Sequence, residues 1–237
     1  MTAGYRSPVK SLPAERSRDV LLVALGTTSG AVDATAFIAL GHVFASVITG
    51  NLVLLGVSVA RGDGRSALFS GCALGAYALG VLVAAPRRSR ADGDPVWPLG
   101  ASLVLSVDLA LLIVFAIGWE LAGARPGRVT QALLLAVVAG AMGVQSTAVR
   151  RLGPISTTYL TGTLTGLLEA VRSGEWSSGH WRGLGIIVMA AIGAAGAALL
   201  IAHARGWLPL LVLAPLATVI LVSRRLIAGQ SSSVSGR

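Results

Sequence analysis

The stretch WPLGASLVLSVDLALLIVFAIG, residues 97–118, decides the fold. It is apolar along its length apart from one acid, Asp108. It is also long enough to cross the roughly 30 Å hydrocarbon core of a bilayer, for which a helix needs about 20 residues. Working outward, similar runs fall at 19–41, 43–60, 66–85, 129–149, 156–172, 182–202 and 206–226. A bilayer core holds no water to satisfy backbone groups, so only helices or a closed barrel span it. These runs lack the in–out alternation of barrel strands. The sequence therefore predicts an all-α polytopic transmembrane helix bundle of six to eight membrane segments, within a single domain at 19–226. Residues 1–18 and 227–237 are expected to be disordered cytoplasmic tails.

Composition agrees. Apolar residues make up 54% of the chain and the mean hydropathy is +0.77. Charged residues make up 12%, about half the share of a soluble domain. The net charge of +9 does not imply nucleic acid. The basic residues are scattered in small groups between apolar runs, as at Arg87, Arg88 and Arg90 or at Arg150 and Arg151, which suits loop ends and lipid headgroups. A basic set that includes one Lys, with abundant Ala and Gly, points to a high-GC bacterial genome and hence to the cell (inner) membrane. Cys72, the sole cysteine, can form no intramolecular disulfide and reads as a small residue within an apolar run. No cleavable signal peptide is evident.

Two segments are ambiguous. Those at 43–60 and 156–172 are short and carry Gly and Thr near their starts, so each either crosses or turns back as a re-entrant piece. The excess of Lys and Arg places both termini in the cytoplasm whether the spans number eight or six, so the positive-inside rule does not choose between them.

A shift of 112 residues aligns repeat A, about 19–118, with repeat B, about 129–226. Leu40-Gly41 falls on Leu152-Gly153, and Thr49-Gly50-x-Leu52 on Thr161-Gly162-x-Leu164. About a third of positions 20–62 are identical at this shift. Repeats are a feature of many transporters, whose sites lie where the halves meet and where helices are interrupted. An even number of spans in each half makes the repeats parallel. An odd number makes them inverted.

Several polar residues inside these segments are candidates for binding a solute or ion. Asp33 lies within the first span and shares a helix face with Gly26, Gly30 and Phe37. An ionised acid there costs about 2.5–3.5 kcal/mol on insertion scales. It is either a proton or cation site or a substrate contact, or else a protonated or hydrogen-bonded structural acid. Its repeat partner is Gln145, followed by Ser146. Thr49, Gly50 and Asn51, with Thr161, Gly162 and Thr163, can unwind a helix and offer hydroxyl, amide and backbone groups, or can simply cap it. Asp108 has no repeat counterpart and is expected to pair with an Arg or to act as a second acid. The Arg150–Arg151 pair is expected at the headgroups. His42, His180 and His203 are far apart, and no HExxH, CxxC or P-loop is present, so no metal, cofactor or enzymatic chemistry is expected. The small residues at 193–197 suit close helix packing.

Gly30-x-x-Asp33-Ala34, the stretch from Phe44 through ITGNLVLLG at 48–56, and Gly143-x-Gln145-Ser146 followed by Thr158–Thr163 carry a resemblance to the YoaK family of bacterial multi-pass membrane proteins. The resemblance covers most of residues 20–225. It implies an inner-membrane location, six or more spans and no established substrate. The expected function is a small-solute transporter or permease with its site at the repeat interface. A non-transporting scaffold or accessory subunit is the alternative. The expected partners are the lipid bilayer and a small solute or ion; nucleic acid is not one of them.

Overall fold

The computed structural model describes residues 12–85, 99–152 and 160–235, with helical backbone alone at 12–17 and 225–235. Residues 1–11 and 236–237 of the expected tails lie outside it. The described chain forms α1 (Leu12–Ala39), α2 (Ile48–Ala60), α3 (Gly64–Ala84), α4 (Leu99–Leu121), α5 (Arg128–Leu152), α6 (Leu160–Ser173), α7 (Ser178–His203) and α8 (Leu208–Ser235), with a 3-10 turn at Arg205–Trp207. No strand occurs among the described residues. Helix α1 starts inside the stretch expected as a tail, and α8 continues into the other. Hydropathy alone could not have placed those polar turns.

Six of these helices, α1, α3, α4, α5, α7 and α8, are long and apolar enough to cross a membrane among the described residues. Helices α2 and α6 have 13 and 14 residues. At 1.5 Å per residue each reaches about 20 Å, well short of the roughly 30 Å core. Among the described residues α2 and α6 are thus too short to cross by length.

Contacts along the helices fix their directions. Gly26 and Gly30 of α1 meet Ile186 and Ala190 of α7, and Asp19 pairs with Arg182 at 2.7 Å, so α1 and α7 run parallel. Helices α3 and α5 also run parallel: the Cys72 thiol is 3.7 Å from the Ala132 carbonyl, and further along Arg151 donates to the Ala84 carbonyl. Helix α4 opposes α5, with Gly100 at Arg151 and Gly118 at Leu134. It also opposes α8, with Ser102 at Ser223 and Trp119 at Arg205. Thus α1, α4 and α7 cross one way, from a first face to a second, and α3, α5 and α8 return.

Helix α1 packs on α7 and α8, while α5 packs on α3 and α4. Exchanging each of the first four helices for the one four places later carries every one of these pairings onto another and reverses its direction. Local geometry repeats at the 112-residue shift too. Gly62 and Gly174 both take left-handed φ, 68° and 73°. Thr35 donates to the Ala31 carbonyl at 2.7 Å, and Thr147 to the Gly143 carbonyl at 3.1 Å.

Small residues hold the parallel pairs together. Lipid gives helices no hydrophobic reason to associate, so close van der Waals contact must do it. A Cβ on Gly30 or Gly193 would enter the backbone of the facing helix at Ala190 or Thr27, and one on Gly143 would strike Tyr77. The packing role expected of residues 193–197 is seen at Gly193. Outward-facing Leu79, Leu82, Leu103 and Ile117 are left to the lipid.

Candidate functional site

The chain between α1 and α2 turns sharply. Gly41 has φ 113° and His42 φ 61°, and a Cβ on Gly41 would collide with the Phe69 ring of α3, so both conformation and space demand glycine there. Beyond the turn, Val43, Ala45 and Ser46 are buried. Irregular backbone at membrane depth is tolerated only where its polar groups are satisfied by protein, and two side chains do that here. Asp33 accepts from the Ser46 backbone N–H at 2.8 Å and from the Ser46 hydroxyl at 2.6 Å. Asn51, fully buried, accepts from the Phe44 N–H at 2.9 Å and donates to the Phe44 carbonyl at 2.6 Å. The loop is clamped from the α1 side and from the α2 side. Phe44 then stacks on Phe37, ring centroids 5.2 Å apart.

The remaining residues of these motifs are placed differently. Thr49 is exposed and Gly50 half-buried on the same turn as Asn51. Thr161 and Gly162 are exposed at the start of α6, and Thr163 is half-buried beside Gly183 of α7. Of the two matched triplets, the first secures its loop through Asn51. Residues 153–159, which precede the second, lie outside the described residues.

A second polar cluster sits in the bundle core. Asp108 of α4 and Gln145 of α5 are buried to 0% and 1% exposure. The Gln145 amide lies beside the Asp108 carboxyl, but none of their four side-chain oxygen and nitrogen atoms completes a hydrogen bond. Among the described residues no Arg stands beside Asp108, where one was expected. Arg151 instead donates to the carbonyls of Ala84 and Gly100 at 2.7 and 3.0 Å, which ties together the ends of α3, α4 and α5. It is thus more than a headgroup anchor. Toward the first face, Ser102 of α4 lies 3.4 Å from Ser223 of α8, both hydroxyls buried. Ser146 is buried next to Gln145 in the chain.

The two clusters occupy different depths. Asp33 stands six residues, about 9 Å, before the end of α1 at the second face, and Gln145 seven residues, about 10 Å, before the end of α5 at the first. By helical rise they therefore stand toward opposite faces of the bundle rather than together at one depth. Sequence reasoning missed Ser46, whose one signal was a hydroxyl between two apolar runs. It also missed the pairing of Asp108 with Gln145, because nothing in the chain told which helices are neighbours.

At the second face an open depression is lined by Glu120, Arg125, His203 and Arg205. Arg205 there donates to the Ile201 and Ala124 carbonyls. Asp63 caps α3, accepting from the Ser66 hydroxyl and N–H at 2.6 and 3.1 Å. Those hydrogen bonds hold its carboxyl below the usual carboxylate range. Among the described residues no three His, Cys, Asp or Glu side chains gather as a metal site would require.

Residues 21–223 match the family described as "Protein of unknown function (DUF1275)". The chain is 35% identical over 156 residues to the "UPF0700 transmembrane protein YoaK" of Bacillus subtilis (strain 168), a match covering 65% of this chain and 67% of that protein. No solved structure matches.

Proposed function

The chain belongs to the DUF1275 family, and from that premise we propose that it is a small-solute transporter built from two inverted halves. The observation that carries this reading is the set of helix pairings that map onto one another with reversed direction. Inverted repeats of this kind place interrupted helices where two halves rock against each other, and many secondary transporters work that way. The Gly-bearing short helices α2 and α6 are the interrupted elements. Asp33, Thr49, Gly50 and Asn51 line one, and Thr161, Gly162 and Thr163 the other. Gln145 and Ser146 belong to the core between the halves.

Orientation follows from charge. The second face carries Arg61, Arg65, Arg125, Arg128 and Arg205. Among the described residues Arg150, Arg151, Arg172 and Arg182 lie at the first face, and the sequence adds Arg87, Arg88 and Arg90 between α3 and α4 and further basic residues in the two terminal stretches. The first face is then cytoplasmic, with both termini inside the plasma membrane of a bacterium.

The test is uptake by proteoliposomes across a panel of labelled solutes. Transport predicts saturable uptake of at least one solute, and protein-free rates for the whole panel would remove the reading. One observation favours a second reading, a scaffold without transport. Both oxygens of Asp33 are already engaged by Ser46, as a purely structural acid would have them. Under that reading, Asp33→Asn weakens folding in proportion to its loss of hydrogen bonds, and no solute moves in the wild type.

A further inference from the structure

We infer that Asp108 is a proton-binding site, with the Gln145 amide beside it to receive the carboxylate and with entry from the first face. The inference rests on the transport reading for its purpose, but not for its chemistry. Asp108 lies nine residues into α4, about 13 Å from the first face by helical rise. It is fully buried and both of its oxygens lack a hydrogen bond. Buried polar atoms without partners are rare enough that each needs an explanation, and an ionisable group within the membrane is a functional candidate by default.

The surroundings favour a proton over a metal cation. Helix α4 packs on α5 and α8. From α5, no ionisable residue stands between Arg128 and Arg150; from α8, none stands between Leu208 and Arg224. On α4 itself, Glu120 is the other charged group, three turns away at the second face. One carboxyl and one amide are too few oxygens for a dehydrated metal ion, which takes six or more in the case of calcium. Among the described residues no cation stands beside the carboxyl, and a proton is the ligand that would neutralise it there.

Polarity along α4 is one-sided. Toward the second face the core positions are Leu112, Phe115 and Trp119, all at 0% exposure. Toward the first face stand the Ser102–Ser223 pair, with Ser106 donating to the Ser102 carbonyl at 2.9 Å, and Ser146 on α5. Hydroxyls thus stand on the first-face side of Asp108 and apolar side chains on the other, which assigns proton entry to the first face. On release, the carboxyl O–H bond breaks and the proton passes to water at that face. The electron pair stays on the carboxylate, to which the Gln145 amide N–H then donates.

Infrared spectroscopy of the full chain in proteoliposomes tests this directly. The expected result is a protonated-carboxyl band at neutral pH that Asp108→Asn removes, that Gln145→Leu shifts, and that converts to carboxylate as the medium is made alkaline. The Gln145→Leu arm decides the matter if Asp108→Asn does not fold. Absence of the band, its survival in Asp108→Asn, its indifference to Gln145→Leu, or a band unmoved at every pH the fold tolerates would each overturn the proposal. Solute uptake under an imposed pH gradient separates the two readings. Uptake that is independent of the gradient and unchanged in Asp108→Asn sinks the proton site and leaves transport standing. If no solute moves, the transport reading falls while the infrared titration still decides the proton site.

Discussion

Replacing Gly30 by Ala tests how α1 and α7 are joined. A Cβ at that position would lie 2.8 Å from the Ala190 Cα and 2.6 Å from its carbonyl carbon, with the carbonyl oxygen closer still. Carbon atoms rest at about 3.5–4.0 Å, so α7 would have to retreat by roughly 1 Å along its most extensive contact. Overpacking of this kind costs about 1–3 kcal/mol. Against it stands the gain of about 1 kcal/mol for replacing Gly by Ala within a helix. Gly75 of α3 supplies the control, because a Cβ there meets nothing within 4 Å. Gly75→Ala keeps the propensity gain and has no clash, so subtracting the two variants isolates the clash itself. In a denaturing-detergent titration of the purified protein, Gly30→Ala should be less stable than Gly75→Ala by about 1–3 kcal/mol. Equal stability, or a more stable Gly30→Ala, would refute the close α1–α7 contact and the packing argument built on it.

Three further outcomes follow from the loop clamp and the α3 cap. Ser46→Ala removes the hydroxyl donor to Asp33 but keeps the backbone one. A double-mutant cycle with Asp33→Asn should give a coupling of about 0.6 kcal/mol, the average for side-chain hydrogen bonds between membrane helices, and at most about 1.7; zero coupling would mean the pair does not form. Asn51→Ala strands both the Phe44 N–H and its carbonyl at membrane depth. Each orphan costs about 1–3 kcal/mol, so hydrogen exchange across residues 40–48 should rise well above that of Thr49→Ala. Asp63, held below its ordinary range when folded, contributes stability that is present above its unfolded pKa and lost as pH falls through the folded one. Asp63→Asn should therefore flatten the acid limb of the stability–pH curve and leave the alkaline limb unchanged.

The six long runs were legible because length and apolarity are local properties, and the spans found at α1, α3, α4, α5, α7 and α8 answer to them. The short segments were not decided by sequence. At 17 or 18 apolar residues they sit on the border of spanning, and the charge rule gives the same answer for both counts. The second proved shorter as a helix, because Phe44 and Ser46 spend the first part of the run on the turn, whereas residues 153–159 before α6 lie outside the described residues. The match of Thr49-Gly50 to Thr161-Gly162 at a fixed shift was readable in the sequence, but Asn51 and Thr163 diverge in chemistry, and Asn51 clamps a loop. The opposite depths of Asp33 and Gln145 were hidden because direction depends on whether α2 crosses. The Asp108–Gln145 pair was hidden because two helices that pack together leave no mark of it in either one.

The central claim is that the halves are inverted, and topology mapping tests it most directly. Arg61→Cys and Ser173→Cys, made singly with Cys72→Ala, occupy equivalent exposed positions 112 residues apart, at the ends of α2 and α6. With six spans and inverted halves they lie on opposite faces. A membrane-impermeant thiol reagent added to intact cells should label Arg61→Cys at once and Ser173→Cys only after permeabilisation. Labelling of both from the same side would mean that α2 and α6 cross, that the halves are parallel, and that the account is wrong.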